Sequence, residues 1–215
     1  MNDLILHNYF RSSTSVRVRA ALNLKGLSYD YVARSLLAGE QADPEHLALN
    51  PQGLVPTLVT PQGPLAQSLA IIEWLDEVYP EPPLLPSDAW GRARVRSLAQ
   101  IVALEIHPVN NLRILQHLET EYGVDTEGKA RWFRKWAGIG MQALETRLAR
   151  EPETGSFCHG DTPGLADLCL FAQVLNNGRF GLGTDTYPTI ARIHAACMAV
   201  PAFERAIPAN QPDAV

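Results

Sequence analysis

Apolar and polar positions along the chain keep two different periods, and the change falls near residue 79. Before it, short apolar runs alternate with helical stripes. Leu4–Leu6 reads as a strand, and residues 13–24 read as a helix with Val16, Ala20 and Leu24 at helical spacing. Lys25 and Gly26 then end that helix, a cation followed by a glycine. Residues 28–34 alternate like a strand, and a short helix follows near 43–49. NPQGLVPTLV is a turn leading into a strand at Thr57–Val59, PQG at 61–63 is another turn, and Leu65-Ala66 is a last short strand. Ser68 is placed to cap a helix whose stripe is Leu69, Ile72, Leu75 and Val78. The order βαβ then ββα builds a small mixed sheet with helices on it.

YPEPPLLP, residues 79–86, carries four prolines in eight positions and is read as a stiff, extended linker. Everything beyond has the helical period: about 88–118, 125–150, 165–177 and 188–198, with a short turn near 201–206. Val95, Leu98, Val102 and Ile106 form the apolar face of the first long helix. The expected fold class is α/β plus all-α: residues 1–80 as one domain, 81–87 as linker, and 88–215 as an all-helical domain.

Composition narrows the picture. The chain has 215 residues, 46% hydrophobic and 19% charged, which is globular in character. A net charge of −5 gives no overall attraction to nucleic acid or acidic lipid, so basic chemistry must be local. No apolar run approaches the ~20 residues of a membrane span, and the N-terminus reads directly into a strand rather than a signal peptide. Cys158, Cys169 and Cys197 are odd in number and form no C-x-x-C pair, as expected of free thiols in a reducing cytoplasm.

The candidate chemistry lies where the first strand meets the first helix. In YFRSSTSVRVRAAL, residues 9–22, the hydroxyls of Ser12, Ser13, Thr14 and Ser15 sit between Arg11 and the pair Arg17 and Arg19. A helix start presents unpaired N–H groups and a partial positive charge, which favour anions and thiolates. Hydroxyls and guanidiniums there can lower the pKa of a bound thiol. The plain alternative is that Ser12 or Ser13 caps the helix and the arginines are solvated. Two features farther on fit a ligand site. Val55-Pro56 directly precedes a strand, where a cis bond would leave the Val55 backbone open to an extended ligand. Gln67-Ser68 opens a second helix suited to a carboxylate. Together they describe a site for a small, extended, acidic peptide.

SSTSVRVRAAL, NPQGLVPTLV, QSLAIIEWLDEVYP and GLADLCL, in this order and spacing, resemble a glutathione transferase over essentially the whole chain. YFRSS-x-S-x-RVR-x-AL is similar to the zeta class in particular, whose members isomerise maleylacetoacetate or maleylpyruvate; VPTL and QS-x-A-I mark the wider superfamily. The resemblance implies a thioredoxin-like N-terminal domain, a helical C-terminal domain, a homodimer, and glutathione bound in the first domain. It places the glutathione thiol by Ser12, Ser13, Thr14, Ser15 and Arg17, with the cysteinyl unit paired to the Val55 backbone behind a cis Pro56. Gln67 and Ser68 would hold the γ-glutamyl group and Gln41 the glycyl end. His107, Asn111, Leu112 and Arg113 match positions facing glutathione, and Arg179 in NNGRF matches an arginine that meets substrate carboxylate. Two positions depart from the pattern. Thr14 stands where the family usually has cysteine, which leaves the thiol-stabilising group open among Ser12, Ser13 and Thr14. Gly164 stands where a Ser or Thr usually caps the helix three before Asp167.

The activity so implied is isomerisation of a cis-alkene keto acid in aromatic-compound breakdown, with maleylpyruvate slightly preferred. Arg11, Arg113 and Arg179 would answer its two carboxylates and a developing enolate. The alternatives are a general transferase that conjugates glutathione to electrophiles, and a non-catalytic binding module. No metal is expected: Cys158, His159 and Asp161 lie too close together and lack a fourth ligand. Cys169 and Cys197 fit core positions, Asp167 a helix-start acceptor, and Arg92, Arg94 and Arg96 a solvated fan.

Overall fold

The structure is a computed structural model and describes residues 3–214. Contacts divide the chain into two compact units. The first runs through Leu84 and takes back the segment from Met198 on; the second is Leu85–Cys197.

The first unit is built on a four-stranded mixed sheet in the order β2-β1-β3-β4. β1 (Ile5–Asn8) pairs parallel with β2 (Asp30–Ala33), Leu6 opposite Tyr31, and antiparallel with β3 (Thr57–Thr60), Leu6 opposite Leu58. β4 (Gly63–Ala66) closes the edge, with Thr57 opposite Ala66. Helices α1 (Ser13–Leu24) and α3 (Ser68–Val78) pack together, and α2 (Pro44–Leu49) lies between β2 and β3. Leu6, Leu58, Val18, Leu22, Ile71 and Leu75 are fully buried, as the two periodicities require. α1 ends at Gly26, whose φ of 65° places it in the left-handed region. Lys25 does more than face the helix dipole. Its Nζ lies 2.7 Å from Asp76 Oδ1 and donates to the Pro82 carbonyl at 2.6 Å. That tether holds the start of the proline-rich stretch on this unit.

The sequence division carries the helical domain to residue 215, but the structure returns its last segment, with α10 (Pro201–Glu204), to the first unit. A buried charge explains the return. Arg19 is fully buried, and such a guanidinium must find acceptors. Its Nε and Nη2 donate to the Ala206 carbonyl at 3.2 and 2.9 Å, and Asn23 Nδ2 donates to the Ala202 carbonyl at 2.9 Å.

The second unit is all helical: α4 (Ala89–Gln100), a π-helical stretch Ile101–Ile106, α5 (His107–Asn110), α6 (Leu112–Tyr122), α7 (Thr126–Arg150), α8 (Leu165–Gly178) and α9 (Pro188–Met198). Phe133, Met141, Leu168, Phe171 and Ile190 fill its core. α7 approaches the π-helical stretch closely at Gly140, where a Cβ would lie 2.4 Å from the Ile106 side chain. The expected single helix over 88–118 is broken. Pro108 has no N–H to continue the ladder, and Asn111 leaves helical geometry with ψ 163°. Its Oδ1 then caps α6 by accepting from the Ile114 N–H at 3.2 Å.

Arg94 corrects the expectation of a solvated arginine fan. It is buried, with Nε 2.6 Å from Glu151 Oε2, Nη1 2.8 Å from the Cys158 carbonyl and Nη2 2.9 Å from Thr154 Oγ1. Asp167, also buried, accepts from the N–H groups of Cys158 (2.8 Å) and Gly164 (2.9 Å). Gly164 therefore caps α8 through its backbone alone, with Asp167 supplying the side-chain half of the cap. All three cysteines are buried and none is in a disulfide, and burial pushes the Cys158 and Cys197 thiols up, which makes them poor nucleophiles.

Candidate active site

The hydroxyl patch at the start of α1 is an ordered hydrogen-bond chain. Ser12 is the N-cap, and its Oγ accepts from the Ser15 N–H at 3.2 Å. Ser12 Oγ and Thr14 Oγ1 are 2.8 Å apart, and Thr14 Oγ1 donates to the Val55 carbonyl at 3.0 Å. With that donation fixed, the Ser12 proton goes to Thr14. Ser12 can turn its O–H elsewhere without giving up the cap, because capping uses its lone pairs. Thr14 cannot turn without releasing Val55. Early N–H groups of α1, such as that of Thr14, lie ahead of the intrahelical ladder and are available to an anion. Ser13 is buried at the first helical position. Ser15 has its side chain fully buried and its N–H engaged by Ser12, so it supports the cap from inside rather than facing a ligand.

Among the arginines of the motif, the solvated reading holds only for Arg11, which is exposed with its guanidinium 5.4 Å from the Phe10 ring centre. Arg17 is buried, and its Nη1 donates to Ser68 Oγ at 3.3 Å. The Ser68 hydroxyl therefore accepts from the guanidinium, which leaves its own proton to donate at the start of α3. The two helix starts named from the sequence are thus joined by one buried ion.

Val55 follows the pattern read from the sequence in part. The Val55–Pro56 bond is cis, but the Val55 carbonyl is partly engaged by Thr14. The loop ahead of it is braced where the sequence reading named no role: His46 Nε2 and Asn50 Nδ2 each lie 2.9 Å from the Leu54 carbonyl. At α3 the assignment of the cap moves by one residue. Gln67 is the N-cap and Ser68 the first helical residue. Gln67 holds φ 72°, a left-handed conformation strained for a residue with a Cβ and one that collects at ligand sites. Its Nε2 donates to Gln52 Oε1 at 2.7 Å. Gln41 Oε1 is buried without a hydrogen-bond partner among the described residues. Turning that amide would present its NH2 to a carboxylate.

In the second unit, the break after α5 puts His107 and Asn111 in different segments, His107 in α5 and Asn111 at the N-cap of α6. His107 opens α5, and the Asn111 amide serves its own turn, with Nδ2 donating to the Pro108 carbonyl at 3.0 Å. Leu112 and Arg113 open α6, where Arg113 is exposed. Arg179 is the exposed C-cap of α8. Its Nη1 lies 3.2 Å from Asn176 Oδ1 and its guanidinium 5.8 Å from the Phe180 ring centre. Gly178 is the last helical residue of α8, and the left-handed glycine that follows is Gly181, at φ 71°.

The sequence reading missed the anchoring of the connector between β1 and α1. Arg19 Nη1 lies 2.8 Å from Asn8 Oδ1 and 3.3 Å from the Tyr9 carbonyl, and its Nη2 donates to the Phe10 carbonyl at 2.9 Å. The Phe10 N–H donates to Asp213 Oδ2 at 3.2 Å. Burial of Arg19 is a tertiary fact that local spacing does not carry.

Residues 6–83 match the family model of the glutathione S-transferase N-terminal domain. A maleylpyruvate isomerase from a Ralstonia species is 50% identical over 208 residues, which cover 97% of this chain and 98% of that one. The holo structure of a maleylpyruvate isomerase, described as a bacterial zeta-class glutathione S-transferase, superposes with a TM-score of 0.96 at 49% identity, covering 98% and 100% of the two chains. A maleylacetoacetate isomerase from Methylobacterium extorquens, solved with malonate and glutathione, gives a TM-score of 0.95 at 44% identity over 98% of this chain and 99% of that one.

Proposed function

The chain belongs to the zeta class of the glutathione S-transferases, and from that premise we propose that it is a glutathione-dependent cis–trans isomerase of a maleyl keto acid. The substrate is maleylpyruvate or its relative maleylacetoacetate, which share the reacting half. The observation that carries the reading is the pair of anion-ready helix starts in the first unit, linked by Arg17 and Ser68 and flanked by Val55.

The donor set fits glutathione. A tripeptide with two carboxylates and a thiol needs an anion-binding helix start at the γ-glutamyl end, a backbone partner in the middle, and thiolate-stabilising donors beside that partner. Ser68 on α3, Val55, and Ser12 with the α1 start offer these in turn. Glutathione when bound supplies a thiolate that adds reversibly to the alkene, turning the double bond into a single bond about which the substrate can rotate. The protein's part is positioning and electrostatics. Ser12 directs its O–H, and the first turn of α1 its N–H groups, toward sulfur, favouring the charged form. Thr14 holds Val55 so that the cysteinyl backbone is paired in register. Arg11, Arg113 and Arg179 are assigned to the substrate carboxylates and the enolate charge on their chemistry and on the resemblance. A homodimer and a cytoplasmic setting complete the reading; three buried cysteines outside any disulfide support the latter.

Loss of maleylpyruvate absorbance, followed with sub-stoichiometric glutathione, tests the proposal. Full conversion with glutathione recovered unchanged is expected. Stoichiometric consumption would make the protein a conjugating transferase instead, and no reaction with either maleyl substrate would overturn the catalytic reading.

A further inference from the structure

The connector Tyr9–Ser12 delivers the cap of α1 to the site, yet it lies outside sheet and helix and needs its backbone groups satisfied from elsewhere. The Tyr9 carbonyl accepts from the Ser12 N–H at 3.0 Å and from Arg19 Nη1. The Phe10 carbonyl accepts from Arg19 Nη2, and the Phe10 N–H donates to Asp213 Oδ2 across 203 positions of sequence. Asp213 Oδ1 accepts from the Tyr31 hydroxyl, which anchors the carboxylate to β2. One residue farther, Ala214 packs against the apolar cluster of Tyr9, Phe10 and Val55. The C-terminal segment thus bonds to the connector that places Ser12 and packs against the cluster that includes Val55, the residue proposed to pair with the cysteinyl unit.

The segment is itself held rigid. Gln211 Nε2 donates to the carbonyls of Arg205 and Ile207, each at 2.8 Å, and the Ala214 N–H donates to the Gln211 carbonyl at 3.1 Å. Arg19 ties the same segment down at Ala206. Arg19 and Asp213 therefore grip the Phe10 peptide groups from opposite signs of charge; burial lowers the Arg19 pKa, and the nearby Asp213 carboxylate opposes that shift. A charge-assisted bond is shorter and stronger than a neutral one, and a buried ion keeps few alternative geometries.

We infer that Asp213 is a positioning residue for the isomerase reaction: through Phe10 it sets where Ser12 and the first turn of α1 stand against the glutathione sulfur. The inference rests on the functional reading above and adds to it a residue that touches neither glutathione nor substrate.

The test compares the full chain with Asp213→Ala, Asp213→Asn and Asp213→Glu. Four quantities are read: kcat with maleylpyruvate at saturating glutathione, KM for glutathione, the pH titration of bound thiolate by its ultraviolet absorbance, and amide exchange at Phe10. Displacing a reacting group by a fraction of an ångström costs rate well before it costs binding. Asp213→Ala should lower kcat about tenfold, raise the pH at which the bound thiol ionises, and speed exchange at Phe10. Asp213→Glu should recover part of each. Asp213→Asn preserves shape and covers the case in which the alanine variant folds poorly; it should fall between the two. A purely structural role predicts a lower Tm with kcat and the thiolate titration of the wild type, and that result overturns the inference. Failure of the wild-type protein to bind or use glutathione overturns the functional reading instead, and the Phe10 exchange still reports whether Asp213 fixes the connector.

Discussion

Ser12 and Thr14 divide a task that the sequence leaves to either. Thr14 gives its proton to Val55, whereas Ser12 can redirect its own, so Ser12 is the hydroxyl we propose answers sulfur. Ser12→Ala removes both the cap and that donor, and kcat should fall about 10²-fold, in the range seen when one oxyanion donor is lost. Thr14→Ala should cost kcat only a few-fold and act mainly on KM for glutathione, because what it loosens is Val55. Steady-state kinetics checks both, and equal losses in kcat would undo the division. Ser68→Ala should raise the glutathione requirement about tenfold with little change in the saturated rate, since Ser68 is proposed to hold a remote part of the tripeptide in ground and transition states alike. An unchanged glutathione dependence would move the γ-glutamyl group elsewhere. His7 offers a pH signature apart from catalysis. Burial, followed by the neighbouring charges of Arg34 and His46, lowers its pKa from 6.5 to about 4. The unfolded chain therefore binds this proton near pH 6.5 and the folded protein only near pH 4. Its contribution is full above pH 6.5 and is lost as pH falls toward 4, with a slope of up to about one proton. Urea midpoints at pH 7.5, 5.5 and 4.5 should fall less steeply in His7→Asn than in the wild type.

Elements that were legible in the sequence are those whose own residues settle them. α1 begins at Ser13 and ends at Leu24 as periodicity and Lys25-Gly26 require, and the strands at 5–8 and 57–60 lie within about two residues of their expected places. What was not legible is settled by partners distant in sequence. Pro108 and Asn111 split the first long helix, but where the chain resumes is fixed by α7: Trp132 Nε1 donates to the Val109 carbonyl at 2.9 Å. Arg94 looked like a surface cation because its neighbours do; its acceptors lie about sixty positions farther on. At the site, the motif residues were legible, while the link from Arg17 to Ser68 and the burial of Ser15 were not, since spacing says nothing about which side of a helix start faces out. α9 shows the same limit. Its start carries Pro188, and the buried carboxylate of Glu145 on α7 accepts from the N–H groups of Thr189 (3.0 Å) and Ile190 (2.9 Å). Glu145→Ala should therefore cost about 2 kcal/mol of stability, more than a surface cap, because two helix-start donors lose their acceptor. Chemical denaturation reads the loss, and a change below a few tenths of a kcal/mol would show that water replaces the carboxylate freely.

At the scale of the whole molecule, a chain of net charge −5 is proposed to bind a dianionic substrate, so attraction must come from a few placed guanidiniums rather than from the overall field. Arg179 is the sharpest case. It stands exposed at the end of α8 with Asn176 Oδ1 at 3.2 Å and the Phe180 ring beside it. A carboxylate offers such a guanidinium a bidentate, charge-assisted pair, stronger than an amide oxygen or an aromatic face can give. If Arg179 holds a substrate carboxylate, the planar fork matters as well as the charge, and lysine cannot replace it in full. Arg179→Lys should then lower kcat/KM for maleylpyruvate about tenfold, and Arg179→Ala about a hundredfold, with Tm nearly unchanged because the side chain is exposed. A monocarboxylate analogue lacking the bound group should lose little in either variant, so the ratio between the two substrates carries the assignment. Equal losses on both substrates, or none on either, would remove Arg179 from the substrate site and leave Arg11 and Arg113 to answer both carboxylates.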